Sequence, residues 1–106
     1  MGGVRVAGVG EIPDLEGRDF AVDGRRVAVF KAGDRFFAMD DVCSHAHAYL
    51  SEGEVDEDDL TVECPRHGST FELETGKPRS LPATLPVRTY PVTVEGDDIL
   101  IEVNEQ

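Results

Sequence analysis

Residues 20–39 read Phe20-Ala21-Val22-Asp23-Gly24-Arg25-Arg26-Val27-Ala28-Val29-Phe30-Lys31-Ala32-Gly33-Asp34-Arg35-Phe36-Phe37-Ala38-Met39. Asp23-Gly24, two residues that tolerate positive φ, stand between the apolar run Phe20-Ala21-Val22 and the run Arg26 to Lys31, the pattern of a two-residue β-hairpin. A second turn at Ala32-Gly33-Asp34 leads into Arg35 to Met39. Val27 and Val29 alternate with Ala28 and Phe30, and Phe36 adjoins Phe37, so both faces of these strands are partly apolar, as where sheets pack against one another. The reading is all-β, a sandwich or small barrel, with Phe20, Phe30, Phe36 and Phe37 in the core.

Outward from this stretch the same punctuation continues. Val87 to Glu95 and Ile99 to Val103 flank Gly96-Asp97-Asp98, a further hairpin expected to close the fold. Residues 41–86 differ in character. Short extended pieces (Glu54-Val55, Leu60 to Glu63, Thr70 to Glu72) are separated by turns and by Pro78, Pro82 and Pro86, which predicts a loop-rich cap on a rigid β scaffold, the usual place for a site. The acidic run Asp56-Glu57-Asp58-Asp59 reads as a solvated hairpin tip.

Bulk properties bound the rest. The 106 residues hold 40% hydrophobic and 30% charged side chains, a globular balance that suits one domain over 1–106 with one modest core. No basic start, sustained apolar stretch or membrane-length run occurs, which predicts a cytoplasmic chain without membrane attachment. The 22 acidic against 10 basic residues give a net charge of −12. That charge disfavours nucleic acid and anionic lipid, and suits either a basic protein partner or simple solubility. Two cysteines are too few for a multi-bridge secreted scaffold.

Both cysteines and two of the three histidines fall into two local pairs, Cys43-Ser44-His45 and Cys64-Pro65-Arg66-His67, with residues 46–63 between them. Each pair offers a thiolate and an imidazole from one loop, and residues two apart in an extended stretch point to the same side, so Cys43 and His45 converge. A mononuclear zinc site also accepts two Cys and two His, but its spacing usually places like with like. A [2Fe–2S] centre with two Cys on one iron and two His on the other receives one ligand for each iron from each loop, and the mixed pairs favour it. His47 is read as a non-ligand beside a site already complete.

The two pairs match the C-x-H and C-x-x-H signature of the Rieske iron–sulfur family, and the chain resembles that family beyond the ligands. Leu50-Ser51-Glu52-Gly53, Gly68-Ser69-Thr70-Phe71, Thr75-Gly76-Lys77-Pro78 and Tyr90-Pro91-Val92 look like the stand-alone Rieske-type ferredoxins, so the likeness covers nearly the whole chain. It implies a Rieske-like antiparallel β-sandwich with a smaller loop-rich cluster-binding subdomain at about 41–86. It also implies one [2Fe–2S] cluster with Cys43 and Cys64 on the inner iron and His45 and His67 on the outer, and a proline-containing cover near Pro82 to Pro86. Gly68 is expected to let an amide approach a cluster sulfur.

The respiratory branch of the family carries an extra Cys in each loop; here Arg66 takes the second-loop position and no further Cys exists. Ser69 is kept, but Phe71 stands where that branch has a hydroxyl-bearing Tyr, which predicts a potential toward the low end of the Rieske range. The resemblance implies a carrier without catalytic residues of its own, passing single electrons from a flavin-containing reductase to a terminal oxygenase of the aromatic-ring-hydroxylating kind. An accessory role in iron–sulfur cluster assembly and a nitrite reductase small subunit are the alternatives. His45→Cys or His67→Cys is expected to lower the potential or lose the cluster, and His47→Ala to leave both visible spectrum and potential nearly unchanged. A large spectral change in the His47 variant would show that this residue belongs to the site.

Overall fold

The computed structural model describes residues 3–43, 48–66, 68–80 and 85–103. Among the described residues ten strands form three antiparallel sheets: β1 (Val4–Gly8), β2 (Gly17–Val22), β3 (Arg25–Ala32), β4 (Arg35–Asp40), β5 (Glu54–Asp56), β6 (Thr61–Glu63), β7 (Thr70–Glu72), β8 (Thr89–Tyr90), β9 (Val92–Glu95) and β10 (Asp98–Ile101). Their orders are β1-β10-β9, β2-β3-β4-β8 and β5-β6-β7. Val9–Glu11 and Leu50–Glu52 each form a single turn of 3-10 helix. Among the described residues no helix is long and apolar enough to cross a membrane.

The hairpin at Asp23-Gly24 forms as expected, with both residues at positive φ (52° and 78°) and Val22 paired with Arg25. Gly33, in the turn from β3 to β4, and Gly96, in the turn from β9 to β10, occupy the same left-handed region. The β3 strand is apolar on both faces, and each face meets its own core. Ala28, Phe30 and Ala32 join Phe37 and Met39 of β4 and Val55, Val62 and Phe71 of β5-β6-β7 in one cluster. Val27 and Val29 join Ala38, Tyr90, Ile99 and Ile101 in the other. The four-stranded sheet is therefore the middle layer. Of the four phenylalanines expected inside, Phe30 and Phe37 are buried, whereas Phe20 and Phe36 lie half-buried at the margin of the second core.

Two features depart from the sequence reading. The N-terminal strand β1 has no counterpart in it; Val4 and Arg5 pair with Ile101 and Leu100, and the register shifts before Ala7 pairs with Ile99. The run Val87 to Glu95 is not one strand. Pro91 has no N–H to give a ladder, and the chain changes sheets there, β8 pairing with β4 and β9 with β10. The acidic tip is as read: Asp56 Oδ1 accepts from the amides of Asp58 and Asp59 at 2.9 and 3.2 Å, and residues 56–59 are exposed.

Tyr90 locks the sheet change. Its ring is buried in the second core, its hydroxyl donates to Asp40 Oδ1 at 2.5 Å, and Arg88 lies over the ring at 5.3 Å. Burial, and then the bond to Asp40, raise the phenol above its ordinary value. A raised phenol favours the fold fully below the unfolded value near pH 10 and loses that contribution as pH climbs through the folded value. Tyr90→Phe is expected to cost about 1 kcal/mol at pH 7, with the gap from wild type narrowing above about pH 10. Urea unfolding at both pH values checks this, and equal stabilities at pH 7 would refute it.

Candidate metal centre

Two loops rise from the β5-β6-β7 side of the molecule, each closed at its base by main-chain hydrogen bonds. The first leaves β4 at Asp41. Leu50 N donates to Asp41 O at 2.6 Å, Val42 and Tyr49 form an isolated bridge, and Cys43 N donates to Ala48 O at 2.9 Å. The second is the connection from β6 to β7, in which Cys64 N donates to Ser69 O at 2.7 Å and Gly68 N donates to Cys64 O at 3.0 Å. Both thiols thus sit at the first step of a tightly closed turn.

The loops lie side by side. A depression of about 460 Å³ between them is lined by Ala48, Tyr49 and Glu52 from the first and by Pro65 and Arg66 from the second. The approach is close enough that a Cβ on Gly53 would fall 1.9 Å from the carbonyl oxygen of Glu63, so only glycine fits there. Cys43 and Cys64 are 4% and 0% exposed, belong to the same apolar cluster as Leu50, Val62 and Phe71, and form no disulfide. Two unoxidised thiols buried together at the bases of abutting loops fit a thiolate-ligated metal group, whose inner half is shielded from water.

His45 and His67, the other two expected donors, lie outside the described residues, as does His47. The described residues accordingly contain no group of three or more metal-ligating side chains. The amide of Gly68 donates to the Cys64 carbonyl, and its φ of 76° is one that only glycine adopts readily. Of the proline-containing segment, residues 81–84 lie outside the description and Leu85 is exposed. The turn before it is anchored to the second loop: Thr70 N donates to Ser80 Oγ at 3.0 Å and Arg79 N to Thr70 O at 2.7 Å. Ser69 and Phe71 are both fully buried.

Sequence reasoning missed the polar support beneath the first loop. The carboxylate of Asp41 has no exposed surface, and each of its oxygens accepts a bond, Oδ2 from Arg26 Nε at 2.5 Å and Oδ1 from Ser51 N at 2.7 Å. Arg26 also reaches Asp19 on β2 at 3.2 Å and lies over the Tyr49 ring at 3.7 Å. The hydrogen bond to Asp41 raises the guanidinium's pKa further. The signal available in the sequence was weak: a charged residue two positions before Cys43.

A family model described as the Rieske [2Fe–2S] domain matches residues 3–91. The 3-phenylpropionate/cinnamic acid dioxygenase ferredoxin subunit of Shigella boydii serotype 4 (strain Sb227) is 50% identical over 98 residues, covering 92% of this chain and 90% of that one. Among solved structures, the ferredoxin of carbazole 1,9a-dioxygenase from Nocardioides aromaticivorans IC177 superimposes with a TM-score of 0.90 at 42% identity, covering 93% and 95% of the two chains. A complex of reduced oxygenase and oxidised ferredoxin in carbazole 1,9a-dioxygenase contains a chain matched at a TM-score of 0.84 and 34% identity, over 92% of this chain and 90% of that one. With paired buried thiols beneath two closed loops and a match over most of its length, the chain belongs to the Rieske [2Fe–2S] family.

Proposed function

We propose that the chain is a one-electron carrier whose Rieske [2Fe–2S] cluster is held by Cys43, His45, Cys64 and His67 in a single domain over 1–106. It takes electrons from a flavin-containing reductase in the cytoplasm and gives them to the terminal oxygenase of an aromatic-ring-hydroxylating system. The observation that carries this reading is the burial of Cys43 and Cys64 in one cluster beneath abutting loops, each followed two or three residues later by a His. The ferredoxin-subunit relative, similar over nearly the full length of both chains, favours an oxygenase as acceptor over an assembly scaffold or a nitrite reductase.

A bound cluster of this type supplies a centre that accepts and returns one electron, uncharged when oxidised and singly negative when reduced. The protein's part is to hold, shield and present it. Cys43 and Cys64 offer their thiolates from an apolar floor of Leu50, Val62 and Phe71 that excludes water. Phe71, wholly buried and without a hydroxyl, gives the sulfurs no hydrogen bond, and so favours a low potential within the Rieske range. Val42, Tyr49 and Leu85 are exposed at 46%, 40% and 64%. Val42 and Tyr49 stand at the base of the first loop and Leu85 in the segment before β8, large side chains suited to a short-lived contact with a protein partner. No residue is assigned a catalytic role; oxygen activation belongs to the partner.

Low-temperature EPR of the anaerobically purified protein tests the reading. A rhombic signal with average g below the free-electron value is expected after dithionite and not after ascorbate. A signal already present with ascorbate would retain the cluster and overturn the low potential. Silence under all conditions, with zinc found on metal analysis, would remove the electron-carrier reading.

A further inference from the structure

We propose that Arg26 is a positioning residue for the cluster, fixing the first cluster loop to the middle sheet through Asp41 and Tyr49. The proposal rests on the ligand reading above, since its object is the loop that carries Cys43.

Three strands of observation meet at this side chain. First, Arg26 sits on β3 and grips both ends of the loop at once. Its Nε binds the carboxylate of Asp41 where the loop begins, and its plane covers the ring of Tyr49 where the loop ends. Second, the carboxylate it binds is the loop's internal brace. Asp41 Oδ1 accepts from Ser51 N and its main-chain carbonyl accepts from Leu50 N, while its own N–H donates back to Arg26 O at 3.0 Å. Cys43 stands two residues beyond this brace, and its own amide closes the loop onto Ala48.

Third, the pair differs in kind from the other ion pairs. In Arg5–Asp98, Arg18–Glu16 and Arg35–Glu74 both side chains are about half exposed, where water replaces a lost partner at little cost. Asp41 is 0% exposed against 41% for Arg26. Removing the guanidinium therefore leaves a buried carboxylate short of a partner directly under the loop, and the loop must move to rehydrate it. On the loop Arg26 meets Asp41 and Tyr49 and acts through them. Its planar fork matters as well as its charge, because one face stacks on the ring while one edge meets the carboxylate.

The test compares the holoprotein with Arg26→Gln, Arg26→Lys and, as a control far from the loops, Arg5→Gln. Four quantities are read: the reduced EPR spectrum, the reduction potential, the rate of cluster release to a chelator, and amide exchange over Cys43 to Ser51. Arg26→Gln is expected to broaden the EPR lines, lower the potential by removing the positive charge that balances Asp41 beneath the loop, and release the cluster about tenfold faster or more. The amides of Leu50 and Ser51 should exchange faster. Arg26→Lys, which keeps the charge without the stacked plane, should fall between wild type and Arg26→Gln, and Arg5→Gln should match wild type.

An Arg26→Gln protein with wild-type EPR, potential and release rate, and only a lower unfolding temperature, would overturn the proposal and leave Arg26 as an ordinary stabilising residue. If Arg26→Gln yields no folded protein, Arg26→Lys decides by the same readouts, and wild-type values in it would overturn the role of the stacked plane. A wild-type protein without the rhombic signal marks failure of the cluster reading instead. The exchange of Leu50 and Ser51 amides still reports in that case whether Arg26 holds the loop.

Discussion

Val27, Ala28, Val29 and Phe30 are four consecutive residues with no exposed surface, and a strand can achieve that only if a packed layer lies on each of its faces. Full burial of a Val or Phe side chain stabilises by roughly 1.5–3 kcal/mol. Three such residues in one strand are therefore comparable with the whole net stability of a small domain, about 5–15 kcal/mol. The rest of the architecture follows from satisfying both faces at once. The sheet β1-β10-β9 covers one with Ile99 and Ile101, and β5-β6-β7 covers the other with Val62 and Phe71. The thiols of Cys43 and Cys64 are placed by this second packing, because both belong to the cluster it creates.

An apolar floor cannot by itself hold two loops in place; their main-chain groups need partners. In each loop the Cys amide is used to close the turn on a carbonyl of the same loop, at Ala48 and at Ser69. These bonds tie the two ends of each loop together where it leaves the sheet. Their mutual placement comes from elsewhere: the contact of Gly53 with the Glu63 carbonyl, and the buried Asp41 carboxylate that Arg26 and Ser51 bind. Backbone closure sets the shape of each loop, while a close glycine contact and one ion pair set where the loops stand.

Tyr90 performs a related task at the other edge of the middle sheet. The chain passes from one sheet to another at Pro91, and the hydroxyl of Tyr90 ties that crossing to Asp40, the residue immediately before Asp41. The last residue of β4 and the first of the cluster loop are therefore each held by a side chain from a different strand, Tyr90 from β8 and Arg26 from β3. The loop starts from a point fixed on both sides.

What was legible in the sequence is what contiguous residues encode. The turn at Asp23-Gly24 was readable because positive φ is a property of those residues, and β3 because alternating apolar side chains declare two buried faces. The Cys-His pairs were readable because each falls within four residues, so a thiol and an imidazole on one loop needed no tertiary information. Strand β1, the sheet change at Pro91, the Gly53–Glu63 approach and the Arg26–Asp41–Tyr49 clamp were not readable. Each depends on partners 10 to 97 residues apart along the chain, and nothing in local periodicity distinguishes an arginine that meets a buried carboxylate from one that meets water. The sequence by itself determined the β class, the turns and the two Cys-His pairs; only the tertiary structure decided which core each strand face joins and what holds the loops together. The reason is that turn φ and strand alternation are local steric properties, whereas burial and charge pairing exist only once distant segments have packed.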